Sequence, residues 1–164
     1  MTKTTDPTAQ LAELIRDVRI AMLTTTDKGG ALRSRPMATQ KHDFDGELWF
    51  FTRAPSPKTA EVAQDQQVGL SYANPEKQRY VSVTGRAAVV RDPGKMQELW
   101  NPIYRAWFPD GLDDPELALL RVSVEKAEYW DSPSGMALQI IGFAKAILTG
   151  QPIKGGRHEK LDLH

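Results

Sequence analysis

The sequence predicts a mainly β protein, an antiparallel barrel of about six strands with short helices covering its ends. Three observations favour this class. Short apolar runs recur along the chain, turn-forming pairs separate them, and the helical patterns between them are brief and open with a capping residue before proline. The length of 164 residues fits one domain, placed at residues 1–150, with a polar C-terminal tail at residues 151–164.

The first half of the chain predicts one helix followed by a three-stranded meander. The helix begins at Asp6-Pro7 and ends near Arg19, and the strands cover residues 19–26, 31–39 and 47–52. D-K-G-G offers the first hairpin turn and D-G the second. Pro36 has no amide hydrogen, so its strand should be an edge strand or a break in the ladder.

The second half alternates helices and strands. Helices are expected from Ser56-Pro57, from Asp92-Pro93 with a break or a kink at Pro102, and over residues 134–149. Strands are expected at 68–73 and 80–90, and one long strand or a pair of strands at 117–130. The glycine-rich residues 151–164 read as a loose tail or an arm.

Composition excludes several classes of function. Lysine plus arginine and aspartate plus glutamate both total 21, so no global basic field favours nucleic acid or an anionic membrane. The absence of cysteine removes disulfides, thiolate metal sites and a cysteine nucleophile. Without a signal-peptide core or a run of about twenty apolar residues, the expectation is a soluble, cytoplasmic protein.

Two arginines stand together in R-S-R-P-M. Strand alternation places Arg33, Arg35 and Met37 on one face and Ser34 and Pro36 on the other. Two guanidinium groups on one face repel each other unless an anion or a carboxylate lies between them. The stretch alone fits surface ion pairs or solvated arginines at least as well as an anion site.

The segment Ser56-Pro57-Lys58 adds a second cationic position. A helix N-terminus presents free N–H groups, and a hydroxyl and an ammonium beside them would form a phosphate site. The alternative is an ordinary helix cap. If the arginine strand neighbours the strand ending F-F-T, as the predicted meander implies, arginine and lysine converge on one phosphate.

The ordered set R-S-R-P-M, W-F-F-T, S-P-K, W-N-P-I-Y-R-A-W-F-P-D-G and E-Y-W-D resembles the pyridoxamine 5′-phosphate oxidase-like FMN-binding split barrels. Within them the chain is most similar to the general stress protein 26 group, from about the first helix to Asp131. The resemblance implies a six-stranded split barrel and a homodimer with FMN, or alternatively FAD, at the subunit interface.

The resemblance also implies roles for individual residues. The strand that lies along the flavin and its phosphate corresponds to Arg33, Ser34, Arg35, Pro36 and Met37. Phe51 and Thr52 correspond to residues that line the isoalloxazine and the ribityl chain, and Ser56 and Lys58 to the phosphate binders. Trp107 corresponds to a tryptophan that covers the site, and Trp130 to the tryptophan that the partner subunit presents to the flavin. The alternatives are a helix-anchoring core residue for Trp107 and an interfacial or core aromatic for Trp130.

One departure from the family separates this chain from the oxidases that act on pyridoxamine phosphate. Those enzymes follow their tryptophan with a basic stretch, whereas this chain continues D-S-P-S-G-M-A-L-Q, which argues against vitamin B6 oxidation. No catalytic side chain is predicted, because flavin chemistry resides in the cofactor. His158 and His164 fall in the polar tail; His42 with Asp43 and Asp45 reads as a turn, so no metal is predicted.

Three hypotheses follow. The first is an FMN-dependent oxidoreductase that takes hydride from NAD(P)H or a small organic substrate. The second is a stress protein that binds or sequesters a flavin without turnover. The third is a cofactor-free barrel that acts through its surface. The sequence identifies no substrate.

Overall fold

The computed structural model describes residues 6–40, 43–132, 144–152 and 156–163. One curled antiparallel sheet dominates it, and the six predicted strands are all present. The strands are β1 (Ile20–Thr26), β2 (Leu32–Ala38), β3 (Glu47–Arg53), β4 (Gln67–Asn74), β5 (Arg79–Val90), β6 (Leu117–Asp131) and β7 (Arg157–Asp162). The helices are α1 (Pro7–Ile15), α2 (Pro57–Gln64) and α3 (Pro93–Leu99), with 3₁₀ turns at Pro75–Lys77, Pro102–Ala106 and Gly111–Asp113.

The three labelled helices begin where the capping signals predicted. Asp6, Ser56 and Asp92 each accept a hydrogen bond from a backbone N–H of the first turn, and each is followed by proline. As expected from Pro102, the helical pattern breaks after α3 and resumes as a 3₁₀ turn. None of the helices in the described ranges is long and apolar enough to cross a membrane.

The strand order corrects the predicted meander. The sheet runs β2-β1-β4-β5-β6-β3, so β3 pairs with β6, from Glu47 opposite Ser123 to Arg53 opposite Leu117, and not with β2. The reason is non-local: β6 is 15 residues long and largely buried, and it offers the apolar run of β3 a better partner than the half-exposed β2. Within the described residues β2 pairs with β1 alone, which suits Pro36 at a sheet edge.

The core forms two clusters. Inward residues such as Leu23, Leu70 and Tyr129 fill the barrel, and α1 closes one end with Leu11 and Leu14. A second cluster joins the sheet to α3 and the 3₁₀ turn after it; its members are Phe51, Met96, Leu99, Tyr104, Leu117 and Leu119. The second cluster fixes the strand end from which the chain enters α2.

The C-terminal segment, predicted as a loose tail or an arm, contains a strand. Residues 157–162 form β7, which pairs antiparallel with β6 and is a seventh strand. The Arg157 guanidinium lies 3.5 Å from Asp131, the Tyr129 hydroxyl donates to Glu159 at 2.8 Å, and the His158 ring stacks on another aromatic ring. Residues 144–149 are helical as predicted, whereas the rest of the predicted helix, 134–143, lies outside the described residues, as do His42 and His164.

Candidate functional site

The loop after β3 leads into a tightly capped helix start. The Ser56 hydroxyl accepts a hydrogen bond from the backbone N–H of Thr59 at 3.4 Å, and the Thr59 hydroxyl oxygen accepts one from the Ser56 N–H at 3.0 Å. Pro57 occupies the first helical position without removing a useful donor. The hydroxyl of Ser56 therefore orders the start of α2, which is the capping role considered as its alternative.

Lys58 is a half-buried cation in the first turn of α2. Burial lowers the pKa of its ammonium, and the positive charge of Arg35 lowers it further. The described part of the chain gives this ammonium no ion pair and no hydrogen bond, whereas nearby arginines have partners. An anion that reached Lys58 would offset both the desolvation and the repulsion from Arg35.

Arg35 belongs to a compact polar network between β1, β2 and α2. Its guanidinium lies 2.7 Å from Glu61 Oε2 and donates to the Thr25 hydroxyl at 2.5 Å, while that hydroxyl donates to Glu61 at 2.5 Å. The hydrogen bond from Thr25, followed by those from Arg35, lowers the pKa of the Glu61 carboxyl. Together with Lys58, these side chains carry two positive charges and one negative charge.

Of the remaining residues of R-S-R-P-M, Arg33 lies beside this network, opposite Thr25 in the β1–β2 register, and its charge also lowers the pKa of the Glu61 carboxyl. Arg33 pairs at 3.1 Å with Asp27 of the hairpin turn, so each arginine has the acidic partner considered as an alternative. The Ser34 hydroxyl lies 2.7 Å from the Thr24 hydroxyl on the exposed face. Met37 is buried in the main core. Among these five positions, Arg35 is the one that the structure brings towards Lys58.

Phe51 and Thr52 are buried at the end of β3. The Phe51 ring packs 5.4 Å from the rings of both Trp100 and Tyr104, measured between centroids, so its side chain belongs to the second core cluster. Thr52 is 1% exposed and opposite Ala118 of β6. Their role beside a flavin remains a prediction.

Trp107, which follows the 3₁₀ turn Pro102–Ala106, and Trp130, near the end of β6, are both exposed. Trp107 is 57% exposed, which contradicts its alternative as a core anchor, and its carbonyl oxygen accepts from Arg53 at 3.4 Å. Trp130 is 43% exposed and stacks on His158. It stands near the end of β6 opposite to Leu117, the partner of Arg53, and is separated from Leu117 by nearly the whole length of this 15-residue strand. Trp130 is therefore remote from the Lys58 site of its own chain.

The sequence reasoning missed Glu61 and Thr25, which tie Arg35 in place. Glu61 stands three residues after Lys58, a spacing that puts both on one side of α2 and offered a usable signal. Thr25 continues the buried alternation of Ala21 and Leu23 along β1. Asp45, considered as a metal ligand, instead accepts a hydrogen bond from the Glu47 N–H at 3.2 Å, as turn formers do.

Comparison with known proteins supplies the family. The model of the family described as pyridoxamine 5′-phosphate oxidase like matches residues 6–154. The chain belongs to this family. The predicted membership of the pyridoxamine 5′-phosphate oxidase-like split barrels, with general stress protein 26 as the most similar group, is therefore confirmed.

Three relatives of this pyridoxamine 5′-phosphate oxidase-like chain illustrate the match. Protein bli-3 of Neurospora crassa is 30% identical over 152 residues, covering 87% of this chain and 73% of the relative. The crystal structure of a protein provisionally assigned as general stress protein 26 from Jannaschia sp. CCS1 is 26% identical with a TM-score of 0.77, covering 99% of each chain. That of the general stress FMN/FAD binding protein of Xanthomonas citri is 29% identical with a TM-score of 0.68, covering 81% of this chain and 94% of its own.

Proposed function

We propose that the protein binds a flavin, FMN in the first place and FAD as the alternative, with the flavin phosphate at Lys58 and Arg35. The half-buried Lys58 ammonium carries the proposal, because no acid in the described residues neutralises it. A phosphate would accept charge-assisted hydrogen bonds there and would face the backbone N–H of Lys58 and the positive end of the α2 dipole. The Xanthomonas citri relative, whose name states FMN/FAD binding, supports the same choice.

In this proposal the residues of the chain position the cofactor. Lys58 and Arg35 hold the phosphate, Glu61 and Thr25 keep Arg35 in place, and β2 and the end of β3 lie along the flavin. When bound, FMN would supply hydride transfer, taking a hydride from NAD(P)H or a small organic substrate and passing electrons to oxygen or another acceptor. This proposal requires no dedicated side-chain acid or base, and none was predicted from the sequence.

The proposal includes a homodimer with the flavin at the subunit interface. The outer face of the sheet carries apolar side chains where a solvated face is normally polar: Ile20, Met22, Tyr80 and Trp130 are 49, 40, 39 and 43% exposed. A second copy would cover this face. It would also bring its own Trp130 to a flavin that this chain's Trp130 is too remote to reach.

A second candidate is flavin binding without turnover. It is favoured by the name of the Xanthomonas citri relative, which states binding and no reaction. Both candidates need the same phosphate site, and they differ in whether a reductant reaches the flavin.

The testing experiment is an absorption spectrum of the protein after addition of FMN and gel filtration. We expect retained yellow flavin in the wild type and a Kd raised about 10- to 100-fold in Lys58→Ala, because one charge-assisted contact is lost. Lys28→Ala removes an exposed lysine in the first hairpin turn and should leave the Kd unchanged. A colourless wild type, or equal affinities in the two variants, would show that the phosphate does not bind at Lys58.

Anaerobic addition of NADPH to the flavin-loaded protein then separates the two candidates. Loss of the oxidised flavin absorption after NADPH addition would favour an oxidoreductase. Persistent oxidised flavin would favour a binding role or a different electron donor.

A further inference from the structure

A cavity of about 680 Å³ opens between α1, the chain after β2 and the first half of β3. It lies away from the Lys58 site, which follows the other end of β3. Val18 and Phe50 are buried in its wall, and Leu48 and Trp49 are half-buried there. Concave sites of this size with largely apolar and aromatic walls are typical of small-molecule binding.

Two buried polar atoms in the wall lack hydrogen-bond partners among the described residues, the Tyr72 hydroxyl and Gln40 Nε2. Tyr72 is 3% exposed, so the hydroxyl has little access to bulk water. The other amide atom of Gln40 is engaged, since its Oε1 accepts from the Tyr104 hydroxyl at 2.9 Å. Buried unpaired polar groups are uncommon and costly, which makes these two atoms candidates for contact with a bound molecule.

The chemistry of the two atoms defines the partner. Burial raises the pKa of Tyr72, so the hydroxyl stays protonated at neutral pH and can donate. The amide nitrogen of Gln40 is a donor as well, so the complementary group is a hydrogen-bond acceptor.

The charges at the mouth disfavour an anionic acceptor. Arg16 is paired with Glu13 at 2.8 Å and Asp17 with Lys77 at 2.6 Å, and Glu47 lies 3.7 Å from Arg121. Asp43 lines the same mouth and has no ion pair among the described residues, so it leaves a net negative charge there. A carboxylate or phosphate would meet this charge, whereas a neutral carbonyl would not.

We propose that this cavity binds an uncharged, planar organic molecule whose carbonyl or carboxamide oxygen accepts hydrogen bonds from the Tyr72 hydroxyl and the Gln40 amide. The planar body packs against Phe50 and Leu48, which share the inner face of β3. The site does not depend on flavin binding, because none of its lining residues is assigned to the flavin phosphate.

The test measures binding of benzamide by ligand-observed NMR and calorimetry to the full chain, both flavin-free and after FMN addition. Benzoate, which has the same shape and a negative charge, and ethylbenzene, which has no acceptor, serve as comparison probes. We expect benzamide to bind at one site per chain, benzoate at least tenfold more weakly, and ethylbenzene more weakly than benzamide.

Two variants assign the contacts. Tyr72→Phe removes one hydroxyl and should weaken benzamide binding about tenfold without lowering the Tm, because the lost hydroxyl was unpaired. Gln40→Glu replaces a donor with an acceptor, keeps the oxygen that Tyr104 contacts, and should abolish binding. Tyr80→Phe makes the same chemical change on an exposed strand face outside the cavity and should leave the affinity unchanged.

Several results would overturn the inference. They are no benzamide binding at 10 mM to the folded wild type, tighter binding of benzoate than of benzamide, and unchanged affinity in Tyr72→Phe and Gln40→Glu. Displacement of bound FMN by benzamide would also overturn it, because the cavity would then be part of the flavin site.

Discussion

At the scale of single residues, the charges of Arg35, Glu61 and Lys58 determine their different roles. Arg35 and Glu61 neutralise each other within hydrogen-bond distance, so their pair holds β2 and α2 together. Lys58 is left with its charge uncompensated in the described structure, and the repulsion from Arg35 reaches it. The sequence predicted the two cations at this site, but it did not show which one an acid would neutralise, because that depends on how β2 and α2 pack.

The pH dependence of stability should reveal the Glu61 contact. The pKa of the Glu61 carboxyl is lowered from 4.5, so its stabilisation is present above that pH and is lost as the pH falls through the lower, folded-state pKa. We expect Glu61→Gln to reduce the free energy of unfolding by about 1–2 kcal/mol at pH 7. In urea titrations, the difference from wild type should shrink as the pH falls below 4.5.

Glu98→Gln is the matched control for this measurement. Glu98 forms an exposed helix pair with Lys95 at 3.2 Å, and such pairs contribute little. Its effect should stay within about 0.5 kcal/mol at every pH. Equal losses in both variants, or a Glu61→Gln difference that grows on acidification, would contradict the assigned contact.

At the scale of elements, local signals were predictable and distant pairings were not. The capping pairs before α1, α2 and α3 and the edge position of Pro36 depend on neighbouring residues and were predicted from them. The pairing of β3 with β6 joins segments far apart in sequence, so no local pattern specifies it. β7 has a single buried side chain, Leu161, and therefore carries almost no apolar signal.

Gly85 marks a close approach between two central strands. It follows the irregular step in the β5–β6 register, and a Cβ built there would clash with the backbone oxygen of Ser123. Backbone atoms in a paired strand move only with the strand, so we expect Gly85→Ala to destabilise the protein by about 1–3 kcal/mol, measured by urea unfolding.

Gly69→Ala tests the same substitution in a neighbouring strand without the clash. Its added Cβ would come no closer than 3.8 Å to the Val83 oxygen, an ordinary contact. We expect a change between no effect and a gain of about 0.5 kcal/mol from the stiffer unfolded chain. A Gly85→Ala variant as stable as Gly69→Ala would mean that β5 and β6 are less closely packed than described.

At the scale of the whole molecule, the sequence predicted the fold class and the family more fully than the working site. An ordered set of loose motifs specified the pyridoxamine 5′-phosphate oxidase-like family, which the match over residues 6–154 establishes. The site is harder to predict because its two ends are remote within one chain: Lys58 follows β3, whereas Trp130 stands at the opposite end of β6. A site that uses both needs two copies of the chain.

If the flavin binds at the interface of the proposed dimer, a substitution that prevents dimer formation should also weaken flavin binding. Met22 is 40% exposed on the outer face of β1, so a charge there would be buried without a partner in the interface. We expect Met22→Glu to sediment as a monomer where the wild type sediments as the proposed dimer, and to raise the Kd for FMN at least tenfold. The flavin-free monomer should stay folded, with a cooperative thermal unfolding transition. Ala63→Glu adds the same charge on the exposed side of α2, where glutamate suits a helix, and should remain dimeric and yellow. A wild type that sediments as a monomer yet retains FMN would place the whole flavin site within one chain, and Trp130 would then have no part in it.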